Sequence, residues 1–102
     1  MDLNTCLDLI KRRLKYFVID DDVLGIYVYF SEMLGNIVCN VYINDELDAD
    51  DVIKKELRYT RALLEMPNLT VKCFSKNTYH KIRPTWIKVM EVNENGSIQW
   101  FV

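Results

Sequence analysis

The sequence predicts an α+β domain in the order α-β-β-α-β-β-β, an antiparallel sheet of about five strands with two helices packed on one face. Three observations carry that expectation. Apolar residues recur at helical spacing near the start, residues 25–30 and 37–43 alternate as strands do, and a turn-like "NENG" separates two apolar runs at the end. At 102 residues the chain makes one domain, residues 1–102. Three Gly and two Pro leave no room for long flexible linkers.

The first helix follows from Leu3, Cys6, Leu7, Ile10, Leu14 and Phe17. Asp2 or Thr5 can cap it, since Thr5-x-x-Asp8 fits the reciprocal capping pattern. Lys11, Arg12, Arg13 and Lys15 fall where cations complement the helix dipole. Phe17 to Ile19 either adds a short strand or ends this helix.

In the first long strand Ile26, Val28 and Phe30 point one way and Tyr27 and Tyr29 the other. "SEMLGN" is the connection, with Gly35 and Asn36 as turn formers. In the second strand Ile37, Cys39, Val41 and Ile43 share a face opposite Val38, Asn40 and Tyr42. Both strands are apolar on one side and partly so on the other, which suits central positions.

"NDELDADD" then opens a second helix, with Asp48 as N-cap and Asp50 and Asp51 in the first turn. Ile53, Leu57, Thr60 and Leu64 form its expected buried stripe, flanked by Val52 and Leu63. Pro67 stops it after about 18 residues, or about 27 Å. "LTVKCF" is a third strand with Leu69, Val71 and Cys73 inward, and "SKNTYHKIRP" a loop. For the closing hairpin, setting Asn93 opposite Gly96 pairs Val89 with Trp100 and Ile87 with Val102. A tight Asn95–Gly96 turn sets Glu91 against Trp100 instead. The first register keeps the apolar set on one face, so it is the expected one.

Cys6, Cys39 and Cys73 are odd in number and widely spaced, with no C-x-x-C. They read as buried, reduced small hydrophobes, which points to the cytoplasm. No leader pattern appears, because the basic residues near the start follow the apolar ones. No apolar run reaches the roughly 18 residues of a membrane span. The four methionines are scattered: Met66 and Met90 read as core, Met33 as exposed.

No catalytic residue, metal ligand or cofactor site is expected. Asp20, Asp21 and Asp22 follow a helix, lack a glycine-rich phosphate loop, and point in different directions. They read as a solvated turn rather than a magnesium site. His80, the only histidine, sits in a polar segment beside Lys81 and lacks an evident catalytic partner. A small hydrolase or nuclease around His80 is therefore the last-ranked alternative.

Charge sorting is what exceeds background. From Tyr16 to Asp51 there are nine acidic residues and no Lys or Arg, a balance of −9. From Val52 to Lys88 nine basic residues meet two acidic ones, a balance of +7, yet the whole chain carries only −2. With the first two long strands antiparallel, the loops at Asp20–Asp22 and Asn44–Asp51 converge at one sheet end. The expected partner-binding surface is thus Asp20, Asp21, Asp22, Asp45, Glu46, Asp48, Asp50 and Asp51. An inhibitor of a basic protein fits this best, one that covers the cleft of a nucleic-acid-processing toxin (an immunity-type protein) or a defence nuclease (a phage-type inhibitor). The alternative is a nucleic-acid-binding accessory protein using segment 72–88. There Lys72, Lys76, Lys81, Arg83 and Lys88 interleave with Phe74, Tyr79 and Trp86. Tyr27, Tyr29 and Tyr42 share the other sheet face, an aromatic surface for a partner if no helix covers it. The last strand, "SIQWFV", offers an edge through which a homodimer can form.

Overall fold

The computed structural model describes residues 3–16, 19, 21–63, 66 and 69–101, with only the backbone of residues 78–80. Its elements are α1 (Leu3–Tyr16), β1 (Val23–Ser31), β2 (Asn36–Ile43), α2 (Ala49–Ala62), β3 (Leu69–Ser75), a 3-10 helix (Lys76–Lys81), β4 (Ile87–Val92) and β5 (Ile98–Trp100). Among the described residues no helix is long and apolar enough to cross a membrane.

The strands form one sheet in the order β3-β2-β1-β4-β5. The expectation of a purely antiparallel sheet needs correction, because β3 runs parallel to β2. The physical reason is the intervening helix. A strand followed by a packed helix is carried back to its starting end, so the next strand runs the same way. All other pairings are antiparallel.

Register explains the core. Two rows of apolar residues cross the sheet on one face: Met90–Ile26–Val41–Cys73 and Ile87–Val28–Cys39–Val71. Many are β-branched, and such side chains pack well on a pleated surface. Cys6, Leu7, Ile10 and Leu14 of α1 and Tyr59 and Leu63, at the end of α2, join them in a single buried cluster. Both helices therefore cover the same face, as expected. Cys6, Cys39 and Cys73 are buried inside this cluster, with no disulfide between them. Met66 and Met90 are buried and Met33 is exposed, as their surroundings in the sequence imply.

Helix α2 is rotated from its expected face. Ile53 and Leu57 are 57% and 52% exposed, Thr60 is exposed, and the buried side chain is Tyr59, at 0%. Counting about 100° per residue, Val52, Tyr59 and Leu63 fall within about 40° of one another. That stripe contains the large aromatic ring, whose burial outweighs that of one aliphatic side chain. The helix ends at Ala62, with Leu63 as C-cap donating its N–H to the carbonyls of Tyr59 and Thr60. Leu64 and Pro67 lie outside the described residues, as do Asp2, Phe17 and Val18. Thr5 lies within α1 rather than at its cap.

The closing hairpin adopts neither expected register. Met90 pairs with Trp100, Glu91 with Gln99 and Val92 with Ile98. Asn93 organises the turn: its N–H reaches the Ser97 carbonyl, and its Oδ1 accepts from the N–H groups of Asn95 and Ser97. Gly96 takes a φ of 79°, the left-handed residue that a three-residue hairpin loop requires. A bulge where β4 meets β1, between the Met90–Ile26 and Lys88–Tyr27 pairs, leaves Val89 without a partner on β1.

Neither α1 nor α2 lies on the second sheet face, yet its centre is buried. Val38, Asn40, Tyr42 and Tyr27 are each less than a tenth exposed. Tyr29 stacks on Trp86 at 4.4 Å, Tyr42 on Phe74 at 5.5 Å, and Tyr27 meets Tyr42 edge-on at 5.8 Å. The segment between β3 and β4 helps close this face, so the tyrosines pack internally rather than presenting an open aromatic surface.

Candidate functional site

Antiparallel pairing decides where the acidic loops lie. Val23, at the start of β1, faces Ile43, at the end of β2. One residue further on, the Asn44 N–H donates to the Asp22 carbonyl at 2.6 Å. The loop before β1 and the loop after β2 are thereby tied together at one end of the sheet.

The second loop runs directly into α2. Asp48 is extended, with φ −79° and ψ 174°, and its Oδ1 accepts from the Asp51 N–H at 2.8 Å. That bond satisfies one of the free donors of the first helical turn. Asp45 Oδ1 accepts from the Glu46 N–H at 3.2 Å. Asp50 and Asp51 occupy the first turn, where the dipole favours negative charge. Asp48→Ala is expected to cost about 1 kcal/mol, read as a fall in melting temperature of roughly 4–8 °C. Asp48→Asn keeps the acceptor and should stay close to the parent; equal losses in both variants would mean the cap is not what Asp48 contributes.

Of the eight carboxylates expected at this surface, Asp21, Asp45, Glu46, Asp48, Asp50 and Asp51 are exposed. Asp22 is half-buried and engages Lys55, whose Nζ lies 3.3 Å from both carboxylate oxygens. Asp20 lies outside the described residues. An open depression at this end is lined by Asp22, Asp45 and Asp51 together with Lys54, Lys55 and Arg58. The acidic end thus has a basic rim. Dividing the chain at Asp51 put those cations in a separate set, but helical pitch returns them to the carboxylates. The legible signal was spacing, since Asp50–Lys54 and Asp51–Lys55 are i,i+4 pairs.

Among the described residues no group of three His, Cys, Asp or Glu side chains is placed to hold a metal ion. The His80 side chain lies outside the described residues. Burial, with a smaller contribution from nearby Cys73, pushes the Cys39 thiol up to about 12. It is neutral at physiological pH and no nucleophile.

Among the described residues of the basic segment 72–88 no single stacking platform assembles. Phe74 and Trp86 are spent on Tyr42 and Tyr29. Lys88 lies 2.6 Å from Glu91 and over the ring of Phe101. Lys76, Lys81 and Arg83 remain exposed, while the Tyr79 side chain is outside the described residues. The acidic end is the better-formed candidate. Neither a family model, nor a curated protein, nor a solved structure matches the chain, so its chemistry is read from this geometry alone.

Proposed function

We propose that the protein is a binding protein without turnover, an inhibitor that presents its acidic end to a basic partner. The observation that carries this reading is the Asn44–Asp22 bond, which joins two distant acidic loops into one end with six exposed carboxylates. Like charges gathered this closely repel one another, and a cationic partner would relieve that repulsion. In such a complex the carboxylates stand where substrate phosphates would otherwise sit, and the sheet end blocks access sterically. Complementary charge of this kind mainly accelerates association and selects the partner. A toxin or nuclease with a basic cleft is the partner class this chemistry suits.

The test uses Asp45, Glu46 and Asp50, which are exposed and do not cap α2. The triple variant D45K/E46K/D50K should associate at least about tenfold more slowly with the co-purifying basic partner at low salt. Its rate should also lose most of its dependence on ionic strength. Stopped-flow association at several salt concentrations measures both. An unchanged rate and salt slope in a folded triple variant overturns the proposal.

A further inference from the structure

β3 ends the sheet order, so among the described residues no strand pairs its outer side. Helix α2 lies over this strand, and the placement of α1 fixes which flank of α2 points outward. Lys15 of α1 sits over Trp100 of β5, at the opposite edge. Ala62 of α2 meets Leu9, Arg12 and Tyr16 of α1 across a shallow groove. Ala62 therefore marks the flank that faces α1. Ile53 and Leu57, on the other side of the buried stripe by helical pitch, lie on the flank turned away from α1. They are 57% and 52% exposed, and β3 beneath this helix is an edge strand among the described residues.

We propose that the β3 edge accepts an extended partner segment as a sixth strand, one that alternates apolar and acidic residues. Its apolar side chains would lie under Ile53 and Leu57, on the face where Val71 and Cys73 are already buried. Its acidic side chains would lie on the other face, opposite Lys72. Backbone hydrogen bonds supply affinity in such strand addition, and alternate side chains supply specificity. Charge decides against a second copy of this chain. Lys72 is the middle residue of Leu69–Ser75, so the antiparallel twofold pairing that overlaps two such strands in full sets Lys72 against its own copy. Like charges directly opposite are destabilising. This inference is independent of the acidic-end reading.

The probe is an end-capped, fluorescent eight-residue peptide alternating valine and glutamate, with a valine–lysine peptide as its counterpart. The acidic peptide should bind at least about tenfold more tightly than the basic one at about 50 mM salt, measured by fluorescence anisotropy. Amide exchange should slow along β3. Ile53→Ser with Leu57→Ser should weaken binding about tenfold or more, and Lys72→Glu should reverse the preference between peptides. D45K/E46K/D50K should bind the peptide within about twofold of the parent, which separates this surface from the acidic end. Failure of the acidic peptide to bind, equal binding of both peptides, or binding without protection of β3 overturns the proposal. So does a concentration-dependent dimer that Ile53→Ser with Leu57→Ser dissolves, because a second copy then occupies the edge.

Discussion

Tyr59→Ala is expected to lower stability by about 3–5 kcal/mol, while Ile53→Ala and Leu57→Ala each stay within about 0.5 kcal/mol of the parent. Tyr59 is wholly buried in the core cluster, and alanine would leave a cavity the size of the lost ring. A domain of this size has only about 5–15 kcal/mol in total. Removing the ring thus takes a large share of the margin and should lower the melting temperature by more than about 12 °C. Tyr59→Phe keeps the ring and should cost only about 1 kcal/mol, the net worth of a typical hydrogen bond. Urea denaturation of the four variants decides between two rotations of α2. If Ile53→Ala and Leu57→Ala cost several kcal/mol and Tyr59→Ala costs little, the helix buries the stripe its aliphatic spacing suggests instead.

That ambiguity shows where the sequence stops being legible. Strands β1 and β2 were readable because a period of two assigns every side chain to a face, and burial then selects the apolar one. Helix α2 was readable as a helix but not as to its face. Its apolar residues Val52, Ile53, Leu57, Tyr59 and Leu63 spread over an arc of about 160°, wider than one buried stripe, and only packing selects among them. The direction of β3 depended on the path of α2 over the sheet, which no local pattern encodes. The hairpin register was off by one because the bulge at Val89 puts Ile87 and Met90 on one face, which alternation cannot reveal, and the three-residue loop after Asn93 sets Met90 opposite Trp100.

The acidic end was legible for a topological reason. Once β1 and β2 pair as a hairpin, the residues before one and after the other must meet, whatever the rest of the chain does. Its basic rim was the part missed, because it depends on helical pitch rather than on position along the chain. Lys55 reaches Asp22 across 33 residues, although its relation to Asp51 is local. Under the proposed function a basic partner would meet both signs of charge at this end, which would orient it as well as attract it.

Alkaline pH should destabilise the protein through one thiol. Cys39 lies in the central row between Val28 and Val71, and burial holds its thiol neutral, pushed from an ordinary 9.0 up to about 12. Below about pH 9 both folded and unfolded chains keep this proton, so it adds no pH dependence. Between 9 and 12 the unfolded chain releases the proton and the folded chain retains it. The unfolded state then binds fewer protons, and stability falls as pH rises, approaching about 1.4 kcal/mol per pH unit. From pH 8.5 to 10.5 this group alone should remove about 2 kcal/mol. Cys39→Ala carries a cavity cost that does not vary with pH, but it lacks the titrating group. Its stability should therefore fall by about 2 kcal/mol less than the parent's over the same interval, with tyrosine and lysine titrations common to both. Parallel curves from urea denaturation would mean that the Cys39 thiol ionises as readily in the folded chain as in the unfolded one, and that the central row of the core admits water.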